Sequence, residues 1–253
     1  MKFHVVIPAR YASTRLPGKP LADLGGKPMI VRVLERCARS SAASVCVATD
    51  SEKIGEAVRA HGGRAVMTRA DHVSGTDRLQ EAASQLELDD DEIVVNVQGD
   101  EPLVPPAVID QVAENLAANR DCEVGTLCEP VRDRRELFNP NVVKVVADEH
   151  GRALYFSRAP IPWHRDAFSR DAPELPGEDL WWRHIGIYAY RVGLLHRFIR
   201  WEPAALERVE SLEQLRVMAN GVAIHVVAAR QAVPAGVDTE EDLARMRALK
   251  GEF

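Results

Sequence analysis

The 253-residue sequence predicts an α/β protein, with a mostly parallel mixed sheet, helices on both faces and a smaller antiparallel insertion in the second half. Short apolar or β-branched runs at 3–7, 44–48, 65–67 and 92–97 alternate with segments whose apolar residues recur at helical spacing, as repeated βαβ units require. Between about 123 and 190 the strand-like runs have few helices between them, which predicts antiparallel pairing. Hydrophobic residues at 46% and charged residues at 28% are ordinary for a globular chain, and the length fits one large domain, taken here as 1–253.

The first strand, 3–7, is followed by a helix over 29–39 carrying Ile30, Val33, Leu34 and Cys37 on one stripe, and then by the strand 44–48. A second helix, 53–61, stops at Gly62-Gly63. It leads to the strand 65–67, a helix over 76–88 and the strong strand 92–97. Asp89-Asp90-Asp91 falls at the amino end of that strand and reads as a solvated turn, since open α/β sheets bind ligands at the carboxyl ends. Pro105-Pro106 open a helix to about 119, because proline is tolerated in a first helical turn. Strands follow at 123–128, 141–147, 153–156 and 184–190, the middle pair forming a hairpin that turns near Glu149 to Gly151. Residues 163–180 lack periodicity and read as a mobile loop. Helices at 194–200 and 212–220, a strand at 223–228 and a helix at 240–249 complete the chain.

Composition excludes several classes. No apolar run approaches the roughly 20 residues that cross a bilayer, so no membrane association is expected. The chain enters its first strand within a few residues of Met1, which predicts no signal peptide and a cytoplasmic location. A net charge of -6 argues against nucleic acid as a partner. Cys37, Cys46, Cys122 and Cys128 have no C-x-x-C spacing and read as buried thiols, not as a zinc site or disulfides.

Chemistry concentrates at strand ends. Val5 to Ile7 run directly into Pro8-Ala9-Arg10-Tyr11-Ala12-Ser13-Thr14-Arg15-Leu16-Pro17-Gly18-Lys19, where Arg10, Arg15 and Lys19 can meet phosphate oxygens and the turn near Gly18 adds backbone donors. The strand 92–97 ends in Gln98-Gly99-Asp100-Glu101-Pro102. Gly99 admits a close ligand, and Asp100 faces the cationic loop if the two strands are neighbours, an arrangement that suits Mg2+ bridging a carboxylate to phosphate. Near the C-terminal end, either Asp238 or Thr239 caps the last helix. If Thr239 is the cap, Asp238 is available as a second metal ligand.

The motifs Ile7 to Leu21, Ser74-Gly75-Thr76-Asp77-Arg78, Asn96 to Pro102, Phe138-Asn139-Pro140-Asn141, Leu154 to Arg158, His184-Ile185-Gly186-Ile187-Tyr188, Leu212 to Arg216 and Gly236-Val237-Asp238-Thr239 occur in the order found in one family. The chain resembles, nearly end to end, the CMP-KDO synthetases, the 3-deoxy-manno-octulosonate cytidylyltransferases of lipopolysaccharide synthesis. The resemblance implies a Rossmann-like nucleotidyltransferase fold. It also implies the substrates CTP and 3-deoxy-D-manno-octulosonate (KDO), the products CMP-KDO and pyrophosphate, a Mg2+ cofactor and a homodimer. Arg10, Ser13, Arg15 and Lys19 would hold the triphosphate, with Lys19 following charge into the transition state. Asp100 and Asp238 would hold Mg2+, and Ser74 and Arg78 would read the base or ribose. Gln98, Arg158, His184, Tyr188, Glu210 and Gln214 are the matched candidates for the sugar acid. His184 and Tyr188, four residues apart, share a strand face. Trp181-Trp182 are expected in a core or dimer contact, with sugar stacking as the other use. A sialic acid cytidylyltransferase, a metal-dependent glycosyltransferase and a nucleotide-sensing module stay open alternatives. A dinucleotide dehydrogenase is disfavoured by the absence of G-x-G-x-x-G in the first loop.

Overall fold

The computed structural model describes residues 1–11, 16–168, 175 and 180–249. Its centre is a nine-stranded sheet, of which seven strands lie side by side in the order β3-β2-β1-β4-β8-β5-β9. These are β1 (Phe3–Ala9), β2 (Ser44–Thr49), β3 (Arg64–Met67), β4 (Ile93–Asn96), β5 (Val124–Pro130), β8 (Trp182–Arg191) and β9 (Ile224–Ala228). The first four are parallel, whereas β8 runs antiparallel to both β4 and β5. Two strands predicted within the insertion, β5 and β8, therefore complete the main sheet. The hairpin of β6 (Lys144–Ala147) and β7 (Ala153–Ser157) lies off that path and pairs with β8 only at Lys144 and Val145.

Alternation along each strand feeds two cores. Phe3, Val5, Ile7 and Ala9 of β1 pack on one face with α1 (Met29–Cys37), α2 (Glu52–Ala60) and α4 (Pro106–Ala118), while Val6 joins the other face. That second face is covered by α3 (Gly75–Gln85), α6 (Val192–Phe198) and α8 (Gln214–Ala219). Helices thus cover both faces, as the alternating pattern predicts. The four cysteines are buried and unbonded, and burial pushes the Cys46 and Cys128 thiols up to about 12.

Two helices escaped the periodicity. The five-residue α5 (Arg134–Phe138) is nucleated by Asp133, whose side chain accepts from the Arg135 N–H at 2.8 Å, and the six-residue α7 (Ala205–Glu210) is also too short to show a repeat. Trp181 is wholly buried and donates its indole N–H to Pro162 O at 2.9 Å, so it is a core residue and not a stacking platform. Part of the predicted mobile loop is packed: Phe168 lies 5.7 Å from the Trp181 ring and 4.9 Å from Trp163, centroid to centroid. Residues 169–174 and 176–179 lie outside the described residues. The final helix, α9 (Glu240–Ala248), closes over the loop after β1, with Leu243 and Met246 packing beside Leu16, Leu24 and Val237.

Candidate active site

Because β1 and β4 are adjacent and parallel, their carboxyl-end loops meet. Gly99 makes this possible: a Cβ there would sit 3.0 Å from Pro8 O and 3.7 Å from the Ala9 Cβ. Gly18 adopts a left-handed φ of 69°, turning the first loop into the short helical turn Lys19–Leu21. Lys19 Nζ then lies 2.5 Å from Asp100 Oδ2, 2.9 Å from Val237 O and 3.3 Å from Asp238 Oδ1. Thr239 is the α9 cap, its hydroxyl accepting from Asp242 N at 3.1 Å, which leaves the Asp238 carboxylate to face Lys19. Two carboxylates from distant parts of the chain thus share one ammonium. The donor set is of hard oxygens, both partly open to solvent, and fits a magnesium-type cation that takes its remaining ligands from water or phosphate. Burial, with Asp100 beside it, pushes the neighbouring Glu101 carboxyl up to about 8.

Beside this cluster lies a polar cavity of about 470 Å3. Arg10 and Gln98 reach it from the two loops, His184, Gly186 and Tyr188 from one face of β8, and Glu213 and Gln214 from the start of α8. Arg78 reaches the same cavity from α3, fully buried, with one guanidinium nitrogen hydrogen-bonded to Thr68 and another 3.1 Å from Asp50 Oδ2. Its Nε and the Asn96 Oδ1 are buried without a partner. An unpaired buried polar atom costs about 1–3 kcal/mol, so a donor and an acceptor left open on one cavity wall are suited to a polar ligand. His184 is enclosed by Phe156 and Tyr188, each with its ring centroid 5.1 Å away, and burial lowers its pKa to about 3. It is neutral at physiological pH. Burial raises the Tyr188 and Tyr190 phenols and the Glu213 carboxyl.

The other expected residues occupy different places. Ser13 and Arg15 lie outside the described residues. The Ser74 hydroxyl caps α3, accepting from Asp77 N at 3.2 Å. Arg158 and Glu210 are tied to each other: Arg158 N donates to Glu210 Oε2 at 3.0 Å and Arg158 Nε to Glu210 O at 2.7 Å, while Ser157 Oγ donates to Glu210 Oε1 at 2.6 Å. Neither lines the cavity, although Arg158 also reaches Ser211 O, which is on the wall. The carboxyl facing the cavity is Glu213, accepting from Thr76 Oγ1 at 2.7 Å. Sequence reasoning passed over Glu213, Thr76 and Asn96. Each lies within a motif shared with the family, and Asn96 also interrupts the otherwise apolar run 93–97.

Residues 4–224 match the family model described as "Cytidylyltransferase". The chain belongs to the cytidylyltransferase family. Among curated cytidylyltransferases, the 3-deoxy-manno-octulosonate cytidylyltransferase of Alcanivorax borkumensis is 63% identical, covering 99% of each chain. That of Hahella chejuensis is 61% identical over 98% of this chain and 97% of the relative. A solved CMP:2-keto-3-deoxy-manno-octonic acid synthetase, complexed with CTP, superposes with a TM-score of 0.89 at 43% identity, covering 98% of both chains. A cytidylyltransferase from Leptospira borgpetersenii, at 18% identity and a TM-score of 0.62, shares the fold.

Proposed function

We propose that this cytidylyltransferase joins CTP and KDO, giving CMP-KDO and pyrophosphate and so activating the sugar for lipopolysaccharide synthesis. The observation that carries the reading is the Lys19 ammonium set between Asp238 and Asp100, the latter two residues along the chain from Gln98 in the lining of a polar cavity, in a chain of this family. The attacking group is the sugar's own anomeric hydroxyl, so no side-chain nucleophile is needed. The protein must align that oxygen with the α-phosphorus and offset charge on the α-phosphate and the departing pyrophosphate. Arg10 and Lys19, together with Ser13 and Arg15, would bind the triphosphate. Gln98, His184, Tyr188, Glu213 and Gln214 would orient the sugar acid. Arg158 and Glu210 would support that wall from behind, and Ser74 and Arg78 would serve the nucleoside side.

Asp100 and Asp238 would hold Mg2+, which when bound neutralises phosphate charge and lowers the pKa of a coordinated hydroxyl. The reading includes a cytoplasmic location and a homodimer. Apolar surface on the hairpin side supports the latter, with Leu154 and Trp163 about 60% exposed. Among the described residues no helix is long and apolar enough to cross a membrane.

The test is pyrophosphate release from CTP and KDO, with and without Mg2+, against UTP, ATP and sialic acid as substitutes. Release specific to CTP and KDO and dependent on Mg2+ is expected. No pyrophosphate from that pair sinks the reading, and preference for sialic acid moves it to the neighbouring class.

A further inference from the structure

Thr126 sits where β5 and β8 fall out of step. Thr126 pairs with Tyr188, but the next residue, Leu127, pairs with Ile185, so Gly186 and Ile187 are extra on β8. A bulge of this kind leaves backbone groups without ladder partners and re-aims side chains. The Thr126 side chain fills the gap: it is fully buried, with Oγ1 2.8 Å from Ile187 O, 3.2 Å from Ile185 O and 3.0 Å from His184 Nε2.

A hydroxyl has one hydrogen to give, and carbonyl oxygens can only accept. That hydrogen is committed to the carbonyls, nearest to Ile187. The contact with His184 must then run the other way, with the ring N–H donating to the Thr126 lone pair. Phe156 and Tyr188 pack on the ring but carry no information about which nitrogen bears the proton. We propose that Thr126 is a positioning residue, which fixes His184 as the Nε2–H tautomer and so leaves Nδ1 as a lone-pair acceptor for a hydroxyl of the bound sugar acid. The inference rests on the reading of the cavity as the sugar-acid site.

The experiment uses the full chain, 15N-labelled at histidine, with the His184 signals assigned by their loss in His184→Gln. Spectra at neutral pH without substrates are combined with KM for KDO and for CTP in the parent, Thr126→Val and Thr126→Ser. The parent should show a protonated Nε2 and a bare Nδ1. Thr126→Val keeps the shape but should mix the tautomers and raise KM for KDO by about tenfold, the worth of one hydrogen bond, with KM for CTP little changed. Thr126→Ser should restore both. A parent spectrum with the proton on Nδ1, or a valine variant with both spectrum and KM unchanged, overturns the proposal. If the valine variant does not fold, the parent and serine spectra and the serine KM decide it. A parent that fails to turn over CTP with KDO sinks the functional reading instead, and the spectra still test the tautomer.

Discussion

The Asp100 carboxylate meets Lys19 at 2.5 Å, while burial pushes the adjacent Glu101 carboxyl up to about 8. Replacing Asp100 with Asn keeps the volume and removes the charge. It should lower kcat by about 100-fold or more, typical of losing one preorganised electrostatic group, with the melting temperature nearly unchanged. Steady-state rates and calorimetry check this, and full activity would remove the metal role. His184 yields a prediction for stability. Its pKa in the fold, about 3, lies below the ordinary 6.5, so the unfolded chain takes up the proton first. The stability of the neutral ring is therefore complete above pH 6.5 and is lost as pH falls toward 3. His184→Gln should lose less stability than the parent on acidification to about pH 4.5, by on the order of 2 kcal/mol. Urea titrations at the two pH values measure it. Lys19, Asp100 and Asp238 were legible because each follows a strand end or precedes a helix cap. The choice between Glu210 and Glu213 was not. Ser211 takes a left-handed φ of 53°, and that turn sends Glu210 back toward β7 and Glu213 into the cavity.

The element that does most for the cavity is β8. Residues 184, 186 and 188 face the opening while Ile185, Ile187 and Ala189 fill the core behind. Gly186 supplies empty space, since a Cβ there would meet nothing within 4 Å. Gly186→Val suits a strand and should fold normally, yet it should raise KM for KDO at least about tenfold, the scale on which pockets discriminate by a methyl group or two. Parallel kinetics with CTP varied separate this from general damage, and an unchanged KM for KDO would place the sugar elsewhere. The strand itself was readable from its apolar alternation. Its insertion between β4 and β5 was not, because pairing with a segment some 60 residues away in sequence leaves no local trace. Nearby, the fully buried Lys144 gives its ammonium to the carbonyls of Asn139, Val142 and Arg158, at 3.0, 2.5 and 2.6 Å. A lysine in a strand pattern reads as an exposed residue, and only the tertiary arrangement makes it a knot.

For the whole molecule, the parallel half of the sheet and the two-faced core followed from the βαβ rhythm, whereas the place of β8 and the closure of the site by the C-terminal segment depended on contacts that no window of sequence contains. The proposed homodimer belongs to this scale. Leu154, Trp163 and Leu180 are exposed near a largely apolar groove lined by Val145, Pro162 and Trp182. Light scattering should give twice the 28.0 kDa mass of the chain, and Leu154→Asp with Trp163→Ser should shift it toward one. A monomer mass for the parent would discard that element of the reading.

Lys19 and Asp238 meet across 219 positions of chain. A protein emerging from the ribosome therefore has Lys19 made 219 residues before Asp238. Sheet and cavity can assemble while synthesis continues, but on the role proposed for Asp238 the site is complete only once the segment before α9 has docked. On that role, nicking the chain between 230 and 238 should leave most of the protein folded while lowering pyrophosphate release.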